Sequence, residues 1–240
     1  LLKRVQVAKV ALDDASKEIK EIADGAGGHA RIACGYTLWS PVSRALIPQL
    51  RNERPVASLT LDVLLADEIL EAVATGRYDF GVCVLAKELP TSLEAEELMR
   101  DELVPLVRKG HPLTGRDVTL ADLRSYPWIG IRSRAGTYNA LVAMFNEQGL
   151  AVPGYVVETS MYEIALQAVG RSDFVTMAPR WLASWRHGGF SALEVLDLPG
   201  VSYPRRIGIV TRRHSHIGPI AQRAMQLIRA VLGQLQGPAA

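Results

Sequence analysis

Apolar and polar positions follow two different rhythms along this chain. Leu1, Val5, Ala8, Leu12, Ala15, Ile19 and Ile22 fall on one narrow helical stripe, and Lys3, Arg4, Lys9, Asp13, Lys17, Glu18 and Glu21 cover most of the remaining surface. This heptad seam predicts a linker or dimerisation helix over residues 1–24. A narrow apolar stripe is not satisfied by water, so it packs on a second copy or, in the other reading, docks on its own domain. Pairs such as Asp13 with Lys17 and Lys17 with Glu21 support the helix by roughly a few tenths of a kcal/mol each. Gly25, Gly27 and Gly28 then break it and act as a hinge.

From Arg31 the rhythm changes to short apolar runs separated by helical patterns. The runs RIACGY, SLTLDVLL and DFGVCVL predict strands, with helices from Ser40 to about Glu53 and from Asp67 to Thr75 between them. The same order recurs in WIGIRS, a helix over Thr137–Gln148, YVVET, a helix over Ser160–Gly170, and DFVTMAP. The segments EILEAVATGRYDF and EIALQAVGRSDF echo each other, each ending a helix at a glycine (Gly76, Gly170) before an Asp-Phe pair that enters the next strand. Two further stretches, DELVPLVRKGHPL and RRIGIVTRR, read as crossovers, and a last helix runs from about Pro219 to Leu235. The expected fold class is α/β: two Rossmann-like lobes joined by two crossover strands. Lobe I takes residues 30–106 and 212–240, and lobe II takes 107–211. A ligand is expected in the cleft of such a pair, outside the carboxyl ends of the strands.

Composition narrows the function. With 240 residues, 48% hydrophobic and 22% charged, the chain has a globular profile, and a net charge of +2 without a basic run is too balanced for a nucleic-acid surface of its own. Cys34 and Cys83 sit in apolar strand runs outside any CxxC pair. They read as reduced core thiols, which favours the cytoplasm. No run approaches the roughly 20 apolar residues of a membrane span. The chain begins at Leu1 without a methionine, so a segment is expected upstream. His29, His111, His187, His214 and His216 belong to no HExxH, GxSxG or phosphate-loop pattern, and Asp79 and Asp173 read as strand-entry residues. No catalytic residue, cofactor or metal is expected.

Several segments, taken in order, resemble a known family. RIACGY followed by ALIPQLRNERP, then LLADEILEAVATGRYDFGV, GHPLTGRDVTLADLRSYPWI and LQAVGRSDFVTMAP are similar to the regulatory half of the LysR-type transcription regulators. The resemblance implies a periplasmic-binding-protein-like fold of type 2 and a small-molecule effector. It also implies a homodimer or homotetramer, and an upstream winged helix-turn-helix that carries the contact with promoter DNA, with no membrane partner. The YPWI, GT and ETS pieces resemble members that answer aromatic acids or sugar-derived ligands. The chain departs from the family pattern in the long loop GYTLWSPVSRALIP and in Gly170-Arg171-Ser172-Asp173, which replaces a more glycine-rich turn.

Candidate contacts come from loops that open helices, where unpaired N–H groups meet an anion. Thr37, Trp39 and Ser40 precede Pro41, with Ser40 expected as an N-cap and the proline at the first helical position. Ala66 and Asp67 open the second helix. Ser133, Arg134, Gly136 and Thr137 open the third, with glycine for close approach, hydroxyls for hydrogen bonds and Arg134 (or Arg132) for a carboxylate. Thr176 ends the strand opposite. By the resemblance, Thr37, Ala66 and Ala135 to Thr137 match effector contacts. Trp39 reads as a ring-stacking lid or as a core or dimer contact, and Ser160 with Glu163 reads as a capping box. A solute-binding protein of a transport system is the alternative function. An enzyme on the same frame would need a base and a nucleophile facing one cleft.

Overall fold

In the computed structural model, residues 28–131, 137–159, 161–183 and 192–235 are described. The seam over 1–24, the glycines Gly25 and Gly27, the residues Ser133, Arg134 and Gly136, and Ser160 lie outside them. The chain forms two units, one from residues up to Met99 and from Arg206 onward, the other from Arg100 to Arg205.

The first unit is built on small and β-branched strands. β1 (His29–Gly35) pairs in parallel with β2 (Ser58–Leu64) along its whole length and with β3 (Phe80–Val84) on its other side. β3 in turn pairs antiparallel with β9 (Tyr203–Arg212), which lies beside β4 (Leu93–Arg108). α2 (Ala66–Ala74) lays Ile69, Ala72 and Val73 over Ala33, Cys83 and Val210. Gly81 makes this seat possible, since a Cβ there would stand 2.2 Å from Ile69 Cγ2. α1 (Trp39–Glu53) buries Val42, Leu46 and Leu50, and it packs along α5 (Pro219–Leu235), whose Ile220, Ala224, Ile228 and Leu232 recur every fourth position. Glu53 and Arg223 join these helices by a two-pronged ion pair, both contacts at 2.6 Å. That fork, with the Gln49 amide, pulls the Glu53 carboxyl down to about 2.

The second unit has a parallel pair, β5 (Trp128–Ile131) with β6 (Tyr155–Thr159). Its β4 segment carries β7 (Thr176–Pro179) and β8 (Leu193–Val195), both antiparallel. α3 (Thr137–Glu147) packs Ala140, Leu141, Met144 and Phe145 on Trp128, Val175 and Met177, with the Trp128 and Phe145 rings edge to face. α4 (Tyr162–Val169) completes the element order. Cys34 and Cys83 are free and buried in the first unit; burial raises both thiols, that of Cys83 to about 12.

Two local expectations are corrected, those at Ser40 and at the start of β4. Ser40 does not cap α1: the helix begins at Trp39 behind Leu38, no side chain caps it, and Pro41 stands third, where a missing N–H still costs no helical bond. α4 starts at Tyr162 with Met161 as its N-cap, and the expected capping box of Ser160 with Glu163 falls on Ser160, outside the described residues. Gly170 ends α4 in ordinary right-handed conformation, whereas Gly76 has φ +76°. β4 begins eight residues before Asp101. Its acid-rich start exposes Glu94, Glu96 and Glu97, and Arg229 and Arg206 answer the last two from α5 and β9.

Candidate functional site

Helix starts in the first unit differ in what they offer a ligand. Thr37 sits half-buried in the turn that carries β1 into α1, closed by the Leu38 N–H on the Gly35 carbonyl at 2.9 Å. Trp39 and Ser40 are half-buried in the first helical turn, which carries no acidic residue. The start of α2 is different. Ala66 and Asp67 are its first residues, Asp67 is exposed, and the Glu68 carboxylate already accepts the Leu65 N–H at 2.9 Å. Two carboxylates in one first turn oppose an anionic ligand there. Thr37, Trp39 and Ser40 therefore remain the stronger candidates in this unit.

In the second unit, hydroxyls gather where α3 begins. Thr137 is buried, and its Oγ1 lies 3.3 Å from the Tyr162 hydroxyl at the first position of α4. Tyr162 donates in turn to the Met177 carbonyl of β7 at 3.3 Å. Tyr155, at the start of β6, lays its ring across β5 at Gly130, where a Cβ would stand 2.1 Å from the ring. Its ring meets Tyr138, the second residue of α3, at 5.6 Å and nearly edge-on. Burial is the first cause raising the pKa of Tyr155 and of Tyr162, and coupling to the neighbouring Tyr162, Tyr138 and Glu158 raises Tyr155 further. Both phenols therefore stay protonated donors. The Tyr155 hydroxyl is buried and has no hydrogen-bond partner among the described residues.

Thr176 is fully buried and its Oγ1 also has no partner among the described residues. Met177 packs in the core beneath α3, so strand alternation turns Thr176 to the opposite face of β7. Thr137 is thus drawn into a cluster with Tyr162, and Thr176 shares no hydrogen bond with it among the described residues. Tyr155 and Tyr162 carry no site signal in the sequence.

One buried charge pair stands behind this cluster. Arg205 of β9 grips Asp101 of β4 with both prongs, the Nε contact at 2.7 Å, and the side chains are 8% and 4% exposed. Trp181 Nε1 also donates to Asp101 at 3.3 Å. The positive charge of Arg205 favours the ionised form of Tyr162 but is outweighed by burial. Because Asp101 neutralises it, Arg205 brings little free positive charge to the hydroxyls. Among the described residues no group of three or more His, Cys, Asp or Glu is arranged to hold a metal ion.

The sequence profile of the LysR substrate binding domain matches residues 23–233. This chain belongs to the LysR substrate-binding domain family. Relatives of this LysR-family chain include the HTH-type transcriptional regulator GbpR of Azospirillum brasilense, 27% identical over 189 residues that cover 76% of this chain and 54% of GbpR. GalR of Pseudomonas putida, also an HTH-type transcriptional regulator, is 28% identical over 189 residues covering 77% of this chain and 45% of GalR. The LysR-family chain thus spans about half the length of these curated relatives, which are regulators and not enzymes. Its fold is that of the CcmR regulatory domain of Synechocystis PCC6803 in complex with 2-PG, with a TM-score of 0.72 and 20% identity over 86% of this chain and 97% of that one. The effector binding domain of QuiR in complex with shikimate matches with a TM-score of 0.67 and 16% identity over 87% of this chain and 98% of that one. The two Rossmann-like units and paired crossover strands β4 and β9 are therefore the periplasmic-binding-protein-like type 2 arrangement.

Proposed function

We propose that this chain is the effector-sensing and oligomerisation region of a DNA-binding LysR-type regulator, working in the cytoplasm with a small hydroxylated or carboxylated effector. The family match over residues 23–233 carries the reading. Effector contacts come from helix starts: Thr37, Trp39 and Ser40 at α1, and Thr137 with Tyr162 at α3 and α4, together with the loop holding Ser133, Arg134 and Gly136. Shikimate on QuiR and 2-PG on CcmR, both oxygen-rich small molecules, support this ligand class. Binding shifts the balance of conformations and so repositions DNA-binding modules outside this chain.

Self-association is part of the same proposal. The second unit leaves Val156 68% exposed on β6 and Met161 and Ile164 about half exposed on α4, an apolar face that a second copy would cover. A transporter's solute-binding protein is disfavoured, because the relatives named above are transcriptional regulators.

Thermal-shift screening of the chain against aromatic acids, sugars and sugar acids tests the reading. A true effector at 100 times its Kd adds about 2.7 kcal/mol of stability. Thr37→Val and Thr137→Val are expected to weaken its binding. An effector that binds both variants with unchanged affinity removes these contacts from the site, and a full-length gene product that is exported would remove the regulator reading.

A further inference from the structure

We infer that the Tyr155 hydroxyl is a specificity determinant of the proposed effector site, left without a partner among the described residues so that it can bond an uncharged oxygen, a hydroxyl of the effector. This inference rests on the proposed effector reading and names the chemical group the site selects. Its ground is an imbalance within the second unit. Thr137 Oγ1 and the Tyr162 hydroxyl lie 3.3 Å apart, and Tyr162 also donates to the Met177 carbonyl, yet the Tyr155 hydroxyl nearby has no partner among the described residues. A buried polar group left unsatisfied is a destabilising feature that calls for an explanation. Phenylalanine would fill the same space above Gly130 without it.

The ring placement marks the group as positioned. The Tyr155 ring occupies the volume a Cβ at Gly130 would need, with Tyr138 against it, so the hydroxyl is carried to a fixed point beside the start of α3. Its surroundings select against charge. Glu158 on the same strand contributes negative potential, and Arg205, the cation that acts on Tyr162, is already neutralised by Asp101. A carboxylate gains little at such a point. A hydroxyl accepts from the phenol and donates onward without bringing charge into a buried place. Discrimination against an analogue that lacks the hydroxyl is then large, because the buried phenol is left unpaired again.

The test uses the full chain with two matched pairs of acids, shikimate against benzoate and gluconate against hexanoate, each pair alike in carrying a carboxylate and unlike in hydroxyls. Tyr155→Phe is expected to leave the Tm of the unliganded protein unchanged or higher. It is expected to cut the affinity for whichever hydroxylated acid stabilises the native chain at least tenfold. The hydroxyl-free partner acids are expected to give no shift with either protein. A Tm lowered by Tyr155→Phe without ligand shows that the hydroxyl already has a partner in solution and overturns the inference. So does unchanged affinity of the variant, or no shift from either hydroxylated acid. A benzoate or hexanoate shift that Thr137→Val abolishes would keep the effector reading and remove the hydroxyl preference alone.

Discussion

In the first unit, EILEAVATGRYDF closes α2 and leads into β3; in the second, EIALQAVGRSDF closes α4 and leads toward β7. The letters nearly match and the chemistry does not. Gly76 adopts φ +76° and completes a Schellman stop, with its own N–H on the Val73 carbonyl and the Arg77 N–H on the Ala72 carbonyl. Gly170 keeps a right-handed φ of −63°, and the chain leaves α4 through tighter bonds from Arg171 to Ala168 and Ser172 to Val169. The aspartates diverge as well. Asp79 has a 3% exposed side chain that accepts the Arg31 N–H at 2.9 Å and the Arg31 guanidinium at 3.0 Å. Asp173 has a 45% exposed side chain on Arg108, and its backbone carbonyl faces the buried His111 ring at 3.3 Å. A repeated sequence here preserves topology, while each unit satisfies its turn with different partners.

The largest test of this contrast lies in the two strand glycines that seat a neighbour. Gly130→Ala drives a Cβ into the rigid Tyr155 ring and is expected to cost about 3 kcal/mol, the upper end of overpacking, whereas Gly81→Ala meets the more adaptable Ile69 and costs about 1–2 kcal/mol. Urea denaturation of both variants measures the difference, and an equal cost would show that ring rigidity does not matter. Next, Asp79→Ala leaves a buried N–H and a guanidinium without their carboxylate, an expected loss of about 2 kcal/mol. Asp173→Ala, at a half-exposed pair, is expected to cost less than about 1 kcal/mol. Matching losses would mean that the aspartates are equivalent after all.

A smaller effect separates the helix stops. Gly76→Ala forces a side chain into the left-handed region at about 1 kcal/mol, and Gly170→Ala stays within about 0.5 kcal/mol of the native chain. The smallest effect is a pH dependence confined to the second turn. Burial lowers the pKa of His111, which accepts the Leu113 N–H on Nδ1, so the unfolded chain takes up the proton first. Stability is therefore complete above about pH 6.5 and declines as the pH falls below that value, until the lower folded-state pKa is passed. In His111→Gln the change in urea midpoint from pH 7.5 to 5.5 is expected to shrink; an unchanged slope would place the dependence elsewhere.

Periodicity made the architecture legible where one face is buried. The helix from Pro219 to Leu235 occurs at the residues expected because its apolar spacing forms one buried stripe. YVVET occurs as expected as a β-branched run, although Val156 and Val157 stay exposed. The start of β4 was hidden for the opposite reason. LEAEELM is held as a strand by pairing with β9, distant in sequence, and by burial of Leu93 and Met99, while its own composition favours a helix. Ser40 shows a related limit, since a Ser-Pro pair marks a helix start only to within a residue or two. At the site, Thr137 was visible as a hydroxyl opening a helix. Tyr155 was not, because its placement depends on Gly130 lying beneath its ring, a neighbour made by strand pairing and not by sequence distance.

The division of the chain also sets an order of birth. Residues 100–205 form one unbroken stretch, whereas the first unit needs β9 and α5 from the far end of the sequence. A ribosome therefore releases everything the second unit requires before it has made the helix that covers α1. During that interval Val42, Leu46 and Leu50 lack the companion helix they will keep for life, so nascent copies stopped short of Pro219 are natural clients for a chaperone.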